Sequence, residues 1–544
     1  MSDSKLYKAF VSSAAATGLS RVLGALRDIA IAHILGDSEE ADAFWMAFTV
    51  PSIFRRFVAD EGLTGVMIPA LTKKQEKKQE KEDSSQNQEQ KQTDQQEEEF
   101  LQSMAGGLFS FLIVACLIIC LVGILVPETL IALFASGFEK GTTQYVLAVD
   151  LTRWMMPFLV FVSLVSWCEG LLNIKDHYFL PKLAPGIVSG AMVTAVLGNS
   201  FFADSSSAGL LSPAYALVAG LLVGGLLHFL VCVPMVRKKW GPFRINTSIW
   251  SNPQFRTMTN ELQKVVAIGI FAQLNIIVLR NIASELPTGS ITQYWYANRV
   301  VDLSQGVIAV AVGSALLPYI SKAAKDQDWQ AFEDYCVQSI RIAACVLLPA
   351  AGLIFVLSDP IVFTLFKNGE FSEEGASKTA ETLVCLIPFM LSVAGINILK
   401  KPYFALNRRD LLMAVACLGL LLTLALGWFF AFYLNLGVQG LGLGLSASTF
   451  LQFVVYLVLL YSVIGASIGV QHLVMPLFKM LICVVPAAGI AWGISLLGSW
   501  SEGFSILNFI ILGAATSIAM VVFFSCAWGL GVRQEVNTIL RRKS

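Results

Sequence analysis

Scanned for apolar runs, the chain breaks into fourteen stretches of mainly hydrophobic residues separated by short polar interruptions. They lie near 9–35, 42–71, 100–126, 144–172, 182–202, 209–236, 258–284, 290–321, 330–357, 377–403, 410–434, 437–464, 472–498 and 504–531. A helix needs roughly 20 such residues to cross a bilayer. The pattern therefore predicts an all-α integral membrane protein of about fourteen transmembrane helices. The first two stretches are atypical, because arginines stand inside them. Arg21, Arg27 and Asp28 also make the first stretch unlike the short apolar region of a signal peptide, so it reads as the first helix of the mature protein.

The pattern repeats. Leu133-Phe134-Ala135-Ser136-Gly137 returns as Leu365-Phe366-Lys367-Asn368-Gly369, Met156-Pro157-Phe158 as Ile387-Pro388-Phe389, and Leu172-Asn173 as Leu406-Asn407. Ile68-Pro69-Ala70-Leu71 returns as Leu317-Pro318-Tyr319-Ile320 at a larger offset, which an insertion at 74–99 accounts for. Six spans separate equivalent points, so the halves run in the same sense, a parallel repeat. The expected organisation is a first lobe over 1–256 (spans 1–6), a second over 257–465 (spans 7–12) and two extra helices over 466–544. Two pseudo-symmetric six-helix lobes suit alternating access.

Composition agrees. Of 544 residues, 56% are hydrophobic and 14% charged, with zero formal net charge, so nothing draws the chain toward nucleic acid. The bases are placed unevenly. Alternate loops carry Lys73, Lys74, Lys77, Lys78 and Lys81, then Lys175 and Lys182, Arg237 to Lys239, Lys322 and Lys325, Arg408 and Arg409, and the tail Arg541 to Lys543; the opposite loops hold Lys140, Lys367 and the acidic Asp37-Ser38-Glu39-Glu40. The basic side is expected to be cytoplasmic, with both termini there. Segment 74–99, rich in Lys, Glu and Gln, is expected as a disordered or loosely helical cytoplasmic loop.

Chemistry of the catalytic kind is absent from the pattern. The ten cysteines form no CxxC and read as small packing residues; the four histidines are scattered, without metal-ligand spacing. No GxxxxGK[ST] loop occurs, and the glycines from Gly437 to Gly444 read as close helix packing. Neither enzyme, metal, nucleotide nor cofactor is expected. Driving energy falls to the membrane potential, an ion gradient or downstream consumption of product. Apart from Asp410 at the very start, the eleventh and twelfth stretches hold no carboxylate, so an acidic cation site in the second lobe finds no support.

What remains are charges inside spans: Arg21, Arg27, Asp28, Asp42, Arg55, Arg56, Asp60 and Glu61 in the first two, Arg280 in the seventh, Arg299 and Asp302 in the eighth. A charge at the bilayer centre costs roughly 2.5–3.5 kcal/mol on insertion scales, and such residues usually face a cavity. Two readings stand for several of them. Arg21 and Asp28, seven apart, share a helical face and are either a structural pair or part of a site; Arg55 and Arg56 either work in a cavity or snorkel to the surface. Arginines in excess of carboxylates favour an anionic guest, and the planar guanidinium suits phosphate oxygens. Pro51, Pro69, Gly62 and Gly65 in the second span, and Pro157, Pro185, Pro318 and Pro388 elsewhere, are expected breaks, serving as bending points or as packing kinks.

Ser20-Arg21-Val22-Leu23-Gly24-Ala25-Leu26-Arg27-Asp28, Ala41-Asp42-Ala43-Phe44, Pro51-Ser52-Ile53-Phe54-Arg55-Arg56 and Glu61-Gly62 together resemble the N-terminal signature of the lipid II flippases, the MurJ (MviN) family. Tyr296-Ala297-Asn298-Arg299 and Gly313-Ser314-Ala315-Leu316-Leu317-Pro318 resemble that family's eighth helix. The chain departs from the family in reading Ala59-Asp60-Glu61-Gly62 for Ala-Glu-Gly and Asn298 for Asp. The resemblance implies the fold of the multidrug/oligosaccharidyl-lipid/polysaccharide (MOP) exporter superfamily. It also implies movement of an undecaprenyl-diphosphate-linked peptidoglycan precursor from the inner to the outer leaflet of the bacterial cytoplasmic membrane. Arg21, Arg27, Arg55 and Arg299 are then the substrate-binding residues, with Ser20, Asp28, Asp42, Arg56 and Glu61 supporting or gating, and 466–544 forming a groove for the lipid tail. The alternatives are a flippase for another polyprenyl-diphosphate glycan, of the O-antigen or capsule kind, and a cation-coupled small-molecule exporter of the same fold.

Overall fold

The structure, a computed structural model, describes residues 3–56, 88–175, 182–183, 185–205, 212–241, 248–312, 322–323, 326–406, 408–464 and 470–532, with 177 and 319 as isolated positions. These residues form seventeen α-helices. In chain order they are α1 (Asp3–Leu35), α2 (Glu39–Arg55), α3 (Gln88–Leu125), α4 (Pro127–Phe134), α5 (Thr143–Met155), α6 (Phe158–Ile174), α7 (Pro185–Ser205), α8 (Pro213–Trp240) and α9 (Pro253–Ser284). There follow α10 (Ser290–Val312), α11 (Trp329–Phe366), α12 (Glu373–Cys385), α13 (Ile387–Ala405), α14 (Arg409–Trp428), α15 (Gly437–Ile464), α16 (Val470–Ser495) and α17 (Ile506–Gly529). In a hydrocarbon solvent every backbone polar group must be satisfied within the segment, which leaves the helix as the solution for these apolar runs.

Among the described residues, each of the fourteen apolar stretches holds one helix or one broken pair of helices. By length and composition, seven described helices qualify as membrane spans, and the pairs α5/α6 and α12/α13 bring the number to nine. Of the remaining five, α7 is apolar but short, while α1, α2, α9 and α10 carry the charges discussed above.

The internal repeat is visible in where helices stop and bend. The α4 and α11 helices end at Phe134 and Phe366, the equivalent phenylalanines of the first matched pair. The next helix in each half is capped by a hydroxyl: Thr142 accepts from the Tyr145 N–H, and Ser372 from the Gly375 N–H. The break then falls at Pro157 in one half and beside Pro388 in the other, with a bend of 41° in both. Proline removes a backbone donor and crowds the preceding turn, so the same residue at the same position gives the same kink. Pro185, expected to interrupt a helix, instead opens α7 at its first position, where its missing N–H costs nothing. Pro51 lies inside α2. Pro69, Pro318, Gly62 and Gly65 lie outside the described residues.

Two compact units emerge, one of residues 1–31 and 43–273, the other of 32–42 and 274–544. In the first, α3, α6 and α8 enclose Met104, Leu108, Trp167, Leu171, Cys232 and Trp240. The indole N–H groups there have carbonyl partners: Trp167 donates to Ala105 (3.2 Å) and Trp240 to Leu171 (3.0 Å). In the second, α11, α16 and α17 pack through Leu353, Leu357, Met480 and Phe523, with Ala487, Ala491, Ala515 and Ala519 at i, i+4 spacing. Small residues at that spacing let helices approach closely in lipid. The glycines of α15 serve the same end, since a Cβ on Gly444 would stand 2.5 Å from the Gly427 Cα. All ten cysteines are buried or partly buried. Segment 74–99 divides: Gln88 to Glu99 are helical, the first turns of α3, and 74–87 lie outside the described residues.

Candidate functional site: intramembrane charges and an apolar cavity

In the first unit the charges of α1 resolve into a pair and a lone cation. Arg27 and Asp28 are both buried, and the Arg27 Nε and Nη2 donate to the same Asp28 oxygen at 2.9 and 2.7 Å. The guanidinium also lies 5.8 Å from the Phe48 ring centre. The heptad spacing of Arg21 and Asp28 suggested a pair between those two; the close ion pair is instead between sequence neighbours. Neighbouring side chains do not ordinarily face each other on a helix, and here the long arginine stem folds back to reach. Arg21 and Ser20 are half-buried, and among the described residues Arg21 has no hydrogen bond or ion pair. Arg55 closes α2, half-buried, with Arg56 exposed just beyond it. Glu61 and Asp60 lie outside the described residues.

In the second unit the charges gather around one indole. The Arg280 guanidinium stands 4.7 Å from the Trp295 ring and 5.8 Å from that of Tyr294; Arg299 reaches the same Trp295 ring at 5.8 Å. Arg299 and Trp295 are four apart on α10 and share a face. Asp302 approaches Arg299 to 3.9 Å, beyond hydrogen-bond length, and accepts from Asn298 at 3.3 Å. Where the resembled family carries Asp, Asn298 thus donates to a carboxylate that a second Asp would have repelled. Arg280 is buried. The sequence flagged Arg280, Arg299 and Asp302 but not Trp295; its signal was an aromatic one turn before an intramembrane arginine.

Asp42 does something different from binding a ligand. Its carboxylate accepts from the Gly289 N–H (2.7 Å), the Thr292 N–H (2.9 Å) and the Thr292 hydroxyl (2.6 Å). It therefore caps the N-terminus of α10, where backbone donors are otherwise unsatisfied and an anion complements the helix dipole. Asp37, five residues earlier, accepts from the Ser372 N–H (3.1 Å) and hydroxyl (2.8 Å) at the start of α12. The Glu370 N–H donates to the His33 carbonyl at 3.0 Å. The turn between α1 and α2 is thus fastened to two helix starts of the second unit. Gly36, at φ +61°, lies so close to the Glu370 carbonyl that a Cβ there would overlap it; Gly289, at φ +90°, leaves 2.8 Å between its own would-be Cβ and the Asp37 carbonyl. Asp37 was read from the sequence only as part of an acidic loop. A cap supplied from 250 positions away in the chain leaves no local trace.

The second unit also holds an apolar cavity of about 320 Å³. Ala343 and Leu347 of α11, Pro388 and Gly395 of α13, and Phe453 of α15 line it, with Leu477 of α16 at one side. Of the segment 466–544 expected to form a lipid groove, Leu477 is the one residue in this lining.

Comparison with known proteins bears on these arrangements. A family model described as lipid II flippase MurJ matches residues 31–511. The lipid II flippase MurJ of Burkholderia cenocepacia is 28% identical over 408 residues, covering 74% of this chain and 73% of that protein. The probable lipid II flippase MurJ of Buchnera aphidicola subsp. Acyrthosiphon pisum is 24% identical, covering 97% and 98%. Among solved structures, a lipid II flippase MurJ in an inward closed conformation superposes with a TM-score of 0.70 at 22% identity, over 97% of this chain and all of that one. An inward-facing MATE family multidrug resistance transporter of the MOP superfamily gives 0.61 at 16% identity, over 82% of this chain and 94% of that one. These two structures speak to the fold.

Proposed function

From the premise that the chain belongs to the lipid II flippase MurJ family, we propose how its own residues move a lipid-linked sugar diphosphate across the bacterial cytoplasmic membrane. The protein is a lipid II flippase, a transporter and not a catalyst of bond making. Its work is to carry a hydrated, anionic headgroup from the inner to the outer leaflet, through a medium that excludes charge, while the polyprenyl tail stays in hydrocarbon.

The observation that carries the mechanism is the excess of guanidinium over carboxylate. The α10 helix and the adjacent half of α9 hold Arg280 and Arg299 against Asp302 alone. The α1 helix adds Arg21, while Arg27 is already balanced by Asp28. A guanidinium held inside the membrane is stabilised when an anion joins it. The diphosphate supplies that anion, and guanidinium forks meet its oxygens in pairs. In this reading Arg21, Arg55 and Arg299 engage the headgroup, and the Arg27–Asp28 pair holds α1 in shape, releasing Arg27 when phosphate competes for it. Trp295 keeps Arg299 and Arg280 extended beside one another.

The tail needs no affinity beyond that of lipid, since hydrocarbon is as apolar as the cavity wall. The cavity between α11, α13 and α15 offers it a fixed path instead. Docking of the α1–α2 turn through Asp37 and Asp42 stabilises one of the conformers that alternate during transport. Coupling falls to the membrane potential or an ion gradient, and the basic loops place both termini on the cytoplasmic side.

Native mass spectrometry of the purified protein tests the reading. Lipid II should co-purify, and Arg299→Gln and Arg21→Gln should each lose the bound lipid and growth complementation together. Full complementation by both variants would reject it.

A further inference from the structure

The first unit contains an ionisable pair, a buried histidine facing a half-buried glutamate, that binding of the headgroup does not use. His228 lies in the middle of α8, its side chain 4% exposed, and its Nε2 has no hydrogen-bond partner. That nitrogen faces Glu169 Oε1 of α6 at 3.8 Å. A buried polar atom without a partner ordinarily costs about 1–3 kcal/mol, so its persistence calls for a second state in which it is satisfied. One added proton provides that state. With both ring nitrogens protonated, Nε2–H donates to the carboxylate once the side chains close by about 1 Å to charge-assisted hydrogen-bond length.

The described charged and titratable groups on the helices packed around this pair are few. On α8 itself, Tyr215 lies thirteen residues before His228, roughly 20 Å away at 1.5 Å per residue, and donates to Asp150 of α5 at 2.5 Å. Arg153, also on α5, is shared between Asp150 (3.7 Å) and Glu128 (3.4 Å) near that same end. Arg237, Lys238 and Lys239 occupy the last turn of α8, roughly 14 Å or more beyond His228. Among the described side chains of α7, the helix packed along α8, none is titratable. On α6 the titratable neighbours are Glu169 and Cys168; on α8, one turn on, Cys232 joins the apolar core. The α3 helix, packed behind α6, adds Cys116 and Cys120.

A route to the pair is present. Ser166, Glu169 and Asn173 fall at i, i+3 and i+7 on α6 and are all half-buried, and the Asn173 Oδ1 has no hydrogen-bond partner. This polar stripe runs from the C-terminal end of α6, beside Lys175, to the level of His228. In the opposite direction Phe158 and Phe161 pack against Gly225, three residues before His228, and close the path with apolar surface.

We propose that His228 and Glu169 form a proton-binding site in the first unit, loaded along the polar face of α6, and that this site couples transport to protons. The proton adds to an imidazole nitrogen, the pair changes from −1 to neutral, and release reverses the step without any other bond changing. Moving that charge through the membrane field links the step to the membrane potential. The coupling half of the proposal rests on the flippase reading; proton binding does not.

The chain has four histidines, so isotope-labelled imidazole NMR of the full-length protein in lipid nanodiscs can follow each one. His228→Gln assigns its signal by deletion. The expected result is titration of that signal within the pH range over which the protein stays folded, with the isosteric Glu169→Gln lowering its midpoint by about one unit or more. A second arm measures lipid II movement in proteoliposomes under an imposed pH gradient. The wild-type rate should change several-fold with the gradient and that of His228→Gln should not. A signal constant across the range, or indifferent to Glu169→Gln, overturns the site. Titration with a gradient-independent rate overturns the coupling. Titration in a protein that moves no lipid II supports the proton site and counts against the flippase reading alone.

Discussion

Removing the Asp42 carboxylate should release the turn between α1 and α2 from the start of α10. Asp42 accepts three hydrogen bonds of 2.6 to 2.9 Å, two of them from backbone N–H groups in the first turn of α10. A hydrogen bond to an ionised group contributes about 1.5–3 kcal/mol, and a buried donor left without an acceptor costs about 1–3 kcal/mol. The three share one carboxylate and are not additive, and water reaches the N–H groups once the turn lifts. A loss of about 4 kcal/mol is therefore the reasonable figure for Asp42→Ala. At 1.36 kcal/mol per decade this raises the open fraction about a thousandfold. Asp42→Asn keeps one acceptor oxygen but turns an amide N–H toward a donor, so about 2 kcal/mol, or about thirtyfold, is expected. Thr292→Val removes only the hydroxyl and should cost about 1 kcal/mol, roughly fivefold. Hydrogen–deuterium exchange of the peptides covering 32–42 and 289–293 reads these numbers directly. The order Ala, then Asn, then Thr292→Val, with protection elsewhere unchanged, is the expected result. Wild-type protection of both peptides in Asp42→Ala would refute the capping argument.

Four further substitutions separate roles that the sequence alone cannot. Arg27→Gln removes the cation of a buried ion pair and should destabilise by about 3–5 kcal/mol, recovered in part in the Arg27→Gln, Asp28→Asn double variant; thermal unfolding measures both. Arg21→Gln should stay within about 0.5 kcal/mol of wild type in the same assay yet fail to support growth. Trp295→Leu withdraws the ring contacted by Arg280 and Arg299, each contact worth about 0.5–2 kcal/mol; lipid II retention in native mass spectrometry should fall about tenfold, and Trp295→Phe should restore most of it. Ala344→Phe places a ring in the apolar cavity and should displace the lipid tail, lowering retention of intact lipid II while binding of a tail-free headgroup analogue is unchanged.

The wall of the first unit shows why a charge count is not a site. By count, the apolar stretch 9–35 of α1 offers two arginines and one aspartate. By geometry, one arginine is spent on its neighbour and the other is not. The difference lies in a side-chain path that hydrophobic periodicity does not encode.

What the chain determined unaided was its solvent and its punctuation. Apolar runs of spanning length can only be helices in lipid, and proline at equivalent places in two halves bends both by the same 41°, because these effects act over a few neighbouring residues. The repeat, the glycine contacts along α15 and the cationic character of α1 and α10 were legible for the same reason. Only the folded structure could decide which charges meet. Asp42 finds Thr292, Asp37 finds Ser372, Arg280 and Arg299 find one indole, and His228 finds Glu169 across separations from 4 to 335 positions. Electrostatic and hydrogen-bond partners are chosen by distance in space, which the chain sets only after every helix has packed.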